Sequence, residues 1–336
     1  MTSDESFSRM QKYLNVEDTL SQEFKTFLST LPKIKGSFGP YGYLYEGFWY
    51  FPMILRGIVA FRRHFHPQSS DIFLITYPKS GTTWLKSLVF TIINRHRFPI
   101  EANHPLNTTN AHQLIPFLET HIYHKEENPN LDHLPFPRVF STHIPWTTLP
   151  ESIRNSSTCK IVYLCRNPKD IIVSLWHFQN KLMHDETKEM ATNSILETFE
   201  NFCQGVNDYG PFWRHMLDYW KQSKENPDKI YFLKYEDMKE QPSMHLRRLA
   251  KFLDCPFSSD EEESGLLEDI MKLCSFENLS NLEINKNGVL SYSGMQSSVF
   301  FRQGKTGDWK NHLSDEMVQK LINVICEDKL SGLGFN

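Results

Sequence analysis

The chain has little of what marks a secreted, membrane-spanning or nucleic-acid-coating protein. Its 336 residues hold six cysteines, Cys159, Cys165, Cys203, Cys255, Cys274 and Cys326, without a C-x-x-C spacing. A small fold stapled by disulfides is therefore not expected, and the cysteines read as reduced thiols of a cytoplasmic protein. The start MTSDESFSRMQKYL lacks the basic and apolar regions of a signal peptide. The longest apolar stretch, 48–61, is broken by Pro52, Arg56 and Gly57 and is too short to span a bilayer. Sequons at Asn107, Asn155 and Asn278 then read as chance matches. A net charge of -4 argues against a general nucleic-acid surface but leaves room for a local basic pocket. His104, His112, His121, His124 and His133 match no metal-ligand spacing and read as surface residues, so no metal is expected. There is no internal repeat or low-complexity tract. With 40% hydrophobic residues the chain can build one large α/β core, read as a lead-in over 1–35 and a single domain over 36–336.

What is present centres on residues 71–95, DIFLITYPKSGTTWLKSLVFTIINR. Ile72 to Ile75 and Tyr77 form the continuous apolar run of a strand buried on both faces. Pro78 has no N–H to donate and ends the ladder. From Trp84 onward Leu85, Leu88, Val89, Ile92 and Ile93 recur at helical spacing. The loop Lys79-Ser80-Gly81-Thr82-Thr83 thus lies at a helix N-terminus, where free N–H groups and the dipole favour an anion. Gly81 permits close approach, and the hydroxyls and Lys79 add donors and charge. A plain helix cap is the alternative. The loop is not a Walker A motif, because Lys79 precedes the glycine.

The same pattern returns downstream. Val139 and Phe140 read as a strand with Ser141, Thr142 and His143 at its end, where α/β folds bind ligands; His143 is there either structural or functional. Ile161 to Leu164 form another strand, ended by Arg166, with Pro168 suited to a first helical turn. Residues 181–229 read as helical with a break at Pro211, and Ile230 to Tyr235 as a strand. Glu236 and Asp237 after it are expected to cap or pair. The stretch from Gly36 to Pro52 is too rich in glycine and proline for a helix; its aromatics either line a pocket or cover the core. Residues 281–300 look like a mobile loop over a site.

These pieces resemble, in order along roughly residues 70–310, the cytosolic sulfotransferases. TYPKSGTTWL matches that family's signature, and RNPKDIIVSLWHF with PESIRNSSTCKIVY is most similar to its plant branch. The resemblance implies a single α/β domain with a mainly parallel central sheet flanked by helices. It implies sulfuryl transfer from 3′-phosphoadenosine 5′-phosphosulfate (PAPS), without a metal, leaving 3′-phosphoadenosine 5′-phosphate (PAP). The acceptor is then a small hydroxylated molecule, such as a flavonoid, steroid, hydroxyjasmonate or desulfoglucosinolate. His143 matches the catalytic base and Lys79 the residue that stabilises the leaving oxygen. Lys79, Ser80, Gly81, Thr82 and Thr83 match the phosphosulfate loop, Trp84 and Phe276 the adenine sandwich, and Tyr235 and Ser275 further nucleotide contacts. Arg166, Ser174, Arg302, Gln303 and Gly304 match the 3′-phosphate site. Three positions depart from the pattern: Ser141 stands where many animal members have a second lysine, Cys274 replaces a hydroxyl residue, and Gln303 replaces a lysine. The animal dimer motif is not matched at 310–319, so monomer and homodimer stay open. A nucleotide kinase and a nucleotide- or hormone-binding protein without turnover are the alternatives. The first lacks its lysine motif, and intact Lys79 and His143 speak against the second.

Overall fold

The computed structural model describes residues 20–35, 41–100, 103–184 and 194–326. Helix α1 (Gln22–Ser29), capped by Ser21, leads into a small antiparallel sheet of β1 (Lys33–Lys35), β2 (Tyr41–Tyr45) and β3 (Phe48–Tyr50), in that order. The aromatic stretch expected as an irregular loop is thus largely a hairpin, residues 36–40 lying outside the described ones. Its turn is Glu46-Gly47, both at positive φ (51° and 83°), the geometry that matches the twist of the flanking strands. Tyr43, Phe48 and Tyr50 are buried in the core. Of the two readings of these aromatics, core cover describes the hairpin, and the cavity below is reached only by Phe51 and Ile54 beyond it.

Helix α2 (Pro52–His64) follows, with proline at its first turn. The central sheet is then laid down as β4 (Ile72–Thr76), β5 (Val139–Thr142), β6 (Lys160–Cys165) and β7 (Ile230–Lys234), all parallel, in the spatial order β5-β4-β6-β7. Successive residues face opposite sides. Phe73, Ile75, Phe140, Ile161 and Tyr163 enter one hydrophobic cluster, and Ile72, Leu74, Val162 and Leu164 the other. Both faces are therefore covered, which explains why these strands read as unbroken apolar runs. At the N-terminal edge Arg138 holds Asp71 through two bonds, Nε to Oδ1 at 2.8 Å and Nη2 to Oδ2 at 2.6 Å, both residues buried.

The connecting helices are α3 (Thr82–Asn94), α4 (Pro168–His184), α5 (Ile195–Cys203) and α6 (Phe212–Glu225). Of the span 181–229, residues 185–193 lie outside the described ones; the rest is helical at 195–203 and 212–225, interrupted over 204–211 at the expected break, where Pro211 is the N-cap of α6. After β7 come α7 (Tyr235–Glu240), α8 (Pro242–Phe252), α9 (Leu266–Leu273), α10 (Phe276–Asn281) and finally α11 (Asp315–Cys326). Glu236 does cap: its Oε1 accepts the Asn167 N–H at 2.9 Å, just ahead of α4. Residues 281–300, expected as a loose loop, carry a helical turn (Glu283–Lys286), a bridge between Val289 and Gln296, and a 3-10 turn (Ser297–Phe300). Leu290 is fully buried and anchors the segment.

Because β4 is the first strand of the sheet and its neighbours β5 and β6 follow on opposite sides, the chain reverses direction of growth at the C-terminal end of β4. In open parallel sheets a crevice opens at such a point. The loop after β4 carries Lys79, and the end of β5 carries His143.

Candidate active site

A cavity of about 600 Å³ opens at this switch point, within the range that holds a cofactor or small molecule. It is lined by every residue picked out from the sequence except Ser80, whose side chain is fully buried in the loop itself. The loop's shape follows from two residues at positive φ, Lys79 (68°) and Gly81 (103°). A Cβ at Gly81 would lie 2.8 Å from Tyr235 Cδ2, so glycine is needed both for φ and for space. Thr82 Oγ1 meets Thr76 Oγ1 at 2.7 Å, tying the start of α3 to the end of β4. Ser80 Oγ has no hydrogen-bond partner among the described residues. Such an orphan in a turn at a helix start is suited to an anion.

Lys79 Nζ lies 3.9 Å from the centre of the Phe178 ring. Burial, with Arg166, Lys181 and Arg302 nearby, pushes its pKa down to about 7. A bound anion would favour the charged form and reverse much of that shift. Arg166 links two loops, donating Nη1–H to the Lys79 carbonyl (3.2 Å) and Nη2–H to the Lys305 carbonyl (2.8 Å). Its guanidinium lies 4.7 Å from the Tyr235 ring centre, and its Nε is buried without a partner among the described residues. Tyr235 donates its hydroxyl hydrogen to the Gly304 carbonyl at 3.2 Å and packs 5.3 Å from Trp84. Gly304, at φ 63°, leaves room for Phe276, whose Cγ would lie 2.5 Å from an added Cβ. Ser275 caps α10 by accepting the Asn278 N–H. Ser174 is buried on α4 and Gln303 exposed at the rim. Arg302 is ion-paired with Asp308, while Asp170 accepts the Gly307 and Trp309 N–H groups and so fixes this last loop to α4. Cys274 is buried with its Sγ 3.5 Å from Thr91 Oγ1, so the substituted position has a partner inside the core.

His143 is held from every side. Its N–H donates to Glu119 Oε1 at 2.9 Å, its carbonyl accepts His215 Nε2–H at 2.8 Å, and the next carbonyl, Ile144, accepts the Tyr219 hydroxyl at 2.8 Å. The ring's Nδ1 lies 2.7 Å from the Thr76 carbonyl. A carbonyl only accepts, so Nδ1 carries the hydrogen and Nε2 keeps its lone pair. Burial pushes the His143 pKa down to about 3, against the opposing effect of the Thr76 bond. The imidazole is therefore neutral throughout the physiological range.

The structure corrects one expectation and adds residues that pattern reading passed over. His104 and His112 are buried and His121 and His124 half-buried; only His133 of the five is exposed. His112 lines the cavity between Phe117 (5.5 Å) and Phe300 (4.4 Å). Glu119, fully buried, accepts from both His143 N–H and the Tyr209 hydroxyl. It sits in a π-helical turn (Leu118–Ile122) whose backbone packs against Gly57, where a Cβ would lie 1.9 Å from the Glu119 carbonyl oxygen. Asp208, on the cavity wall, has its pKa pushed up to about 8 by burial, with a bond from the Phe51 N–H opposing. The one available signal for His112 and Glu119 was a polar, histidine-bearing segment between the ends of β4 and β5; Asp208, in the turn before α6, carried none.

Fold and loop together define an α/β enzyme of the nucleotide-dependent group-transfer class, with an anion cradle distinct from the Walker type. Comparison with known proteins gives the family. Residues 69–334 match the sulfotransferase domain. The chain is 48% identical to Cytosolic sulfotransferase 6 of Arabidopsis thaliana, over 95% of this chain and 96% of that protein. It is 46% identical to Cytosolic sulfotransferase 12 of the same plant, over 98% of each. The crystal structure of an Arabidopsis thaliana putative steroid sulphotransferase superposes with a TM-score of 0.73 at 40% identity, covering 95% of this chain and 96% of that one. A mouse sulfotransferase complexed with PAP gives 0.64 at 25% identity, covering 87% and 95%. The chain belongs to the sulfotransferase family. Its class of reaction is sulfuryl transfer to a small-molecule acceptor. Among the described residues no helix is long and apolar enough to cross a membrane.

Proposed function

We propose that the chain transfers the sulfuryl group of PAPS to a hydroxyl of a small molecule, with His143 as general base and Lys79 stabilising the leaving phosphate oxygen. The observation that carries this reading is the 2.7 Å approach of His143 Nδ1 to the Thr76 carbonyl, which leaves Nε2 basic at the same sheet edge as the Lys79 loop. The PAP complex of the mouse relative supports the cofactor. The loop's own chemistry agrees with it: Arg166, with its unpartnered Nε, and Lys79 both line the cavity and are a donor set for an anion. Ser80 to Trp84 would hold the 5′-phosphosulfate end. Arg166, Ser174, Arg302, Gln303 and Gly304 would take the 3′-phosphate, and Trp84, Tyr235, Ser275 and Phe276 the nucleoside. When bound, PAPS supplies an activated sulfuryl group on a good leaving group. His143 Nε2 accepts the proton of the attacking hydroxyl, and the Lys79 ammonium meets the charge that develops as the phosphate departs. The names of the Arabidopsis relatives support a cytosolic location.

The acceptor belongs at the end of the cavity lined by Phe51, Ile54, Asp208, Tyr209, Tyr292 and Met295. Flavonoids, steroids, hydroxyjasmonates, desulfoglucosinolates and simple phenols are the compounds to screen by radiolabelled sulfuryl transfer. In the decisive experiment His143→Ala binds PAP as tightly as the unaltered protein but loses about 10²- to 10⁴-fold in transfer. Undiminished turnover would overturn the base assignment.

A further inference from the structure

The helix that follows the anion loop carries a lysine buried as deeply as any apolar core residue. Lys86, on α3, is fully buried. Its Nζ lies 3.1 Å from His112 Nδ1 and 3.4 Å from the centre of the Phe117 ring. The far side of the same imidazole, His112 Nε2, lies 3.0 Å from Thr83 Oγ1. Thr83, in the first turn of α3, reaches the cavity. Three side chains thus form one chain of hydrogen bonds from the interior to the anion cradle. We propose that Lys86 and His112 are positioning residues that orient the Thr83 hydroxyl as a donor to the bound anion.

The direction of this chain follows from its ends. A phosphate or sulfate oxygen only accepts, so Thr83 must give its hydrogen outward. Its oxygen is then free to accept from His112 Nε2–H. A neutral imidazole with hydrogen on Nε2 must accept at Nδ1, and the Lys86 amine is the donor within reach. The amine donates through its N–H whether it is neutral or charged, which is consistent with the same sense. Burial keeps His112 neutral by lowering its pKa well below the usual value, with Lys86, His143 and Lys79 adding to the effect. Burial also lowers Lys86 well below the usual amine range, while the nearby Glu119 carboxylate pulls it back up. The His112 ring stacks on Phe117 and lies 4.4 Å from the Phe300 ring, contacts that limit its rotation away from either partner.

The chain gives a role to a buried amine behind the loop. Ser141 stands where an animal-type lysine would enter the site, and its Oγ is buried without a partner among the described residues. Here a further donor comes instead from the helix behind the loop, and its effect reaches the anion through polarised hydrogen bonds. Lys86 has no ion-pair partner among the described residues. Retaining it in the core is costly unless it serves the site.

The proposal rests on the loop being the anion site, and the experiment separates the two. PAP binding is measured by calorimetry for Thr83→Val, His112→Phe, Lys86→Met and the pairwise combinations, with thermal unfolding recorded for each. Thr83→Val and His112→Phe are each expected to weaken PAP binding about tenfold, and the double variant to be no worse than either. Lys86→Met should cost several-fold alone and nothing further on the Thr83→Val background. His112→Gln, whose amide nitrogen can still donate to Thr83, should recover part of the binding that His112→Phe loses. Multiplying losses in the Thr83→Val, His112→Phe pair would overturn the chain, because independent residues add their effects. Binding left intact by His112→Phe would overturn it too. Unchanged binding in Thr83→Val would overturn the anion-loop assignment itself. Should Lys86→Met fail to fold, the Thr83 and His112 pair still decides the question.

Discussion

The two ends of the cavity are built in different ways. The proposed donor end is assembled from three strand-to-helix junctions, each a short string in which strand, turn and capping residues sit side by side, Tyr77 to Trp84, Cys165 to Ser174 and Lys234 to Tyr235, with the loop Phe301 to Gly304, after a 3-10 turn, beside Phe276. The acceptor end takes single residues from distant segments: Phe51 and Ile54 from the start of α2, Asp208 and Tyr209 from the turn before α6, Tyr292 and Met295 from the cover. Binding a fixed charged group needs oriented backbone N–H groups, which come as contiguous runs. Binding a variable apolar body needs only a surface of the right shape. The donor end is therefore a local property of the chain, and the acceptor end a property of the packing.

That contrast can be broken or sharpened by substitution. The largest effect is expected for Lys79→Met, which should lower kcat by roughly 10²- to 10³-fold for every acceptor, since it acts on the common half of the reaction. Acceptor-dependent losses in steady-state kinetics would show that the lysine reads the acceptor as well. Gly304→Ala should weaken PAP by at least about tenfold, because the new Cβ meets Phe276 at 2.5 Å in a left-handed backbone. Acceptor affinity, titrated in the presence of saturating PAP, should hardly move.

A pH profile gives the next effect. Lys79 in the free protein titrates at about 7, so its charged form is complete below that pH and is lost above it. Measured as kcat/KM for PAPS, activity should fall about tenfold for each pH unit above 7, and Lys79→Arg, which stays charged, should flatten that limb. His143, at about 3, is already deprotonated across the working range and should add no acid limb near neutrality. The smallest effect belongs to the acceptor end. Asp208→Asn should leave PAP binding unchanged and alter the ranking of acceptors by a few-fold, most for those with a second hydrogen-bond donor. A change in PAP affinity would mean that the two ends are less separate than the cavity lining suggests.

Glu119 joins the ends, since one oxygen accepts both from the His143 backbone and from Tyr209. Glu119→Leu would leave two donors unpaired in the interior, at a cost of about 1–3 kcal/mol for each. Chemical denaturation reads that loss, and transfer assays on the folded fraction read the accompanying drift of His143.

Which parts were legible in the sequence follows the same division. The strand at Ile72, the helix starting beside Thr82 and the strand ending just before His143 are carried by continuous apolar runs and a proline, and all three stand where the pattern puts them. The hairpin at Tyr41–Tyr50 was not legible, because glycine there supplies a turn and not a loop. His112 and Glu119 were missed for a deeper reason. Each is a polar residue in a polar segment, and only the packing of that segment under β5 and α2 removes it from water.

The sequence by itself determined the strand, loop and helix start proposed as the anion cradle, because Pro78, the position of Lys79 before Gly81 and the apolar spacing after Trp84 act within a short stretch of backbone. It also determined that a histidine would end a neighbouring strand. Only the tertiary structure decided which nitrogen of His143 is basic, since that depends on the carbonyl of Thr76, a residue 67 positions away in the chain. It likewise decided that Lys86 and His112 lie behind Thr83, because burial and hydrogen-bond direction are fixed by contacts between segments and not by any one of them.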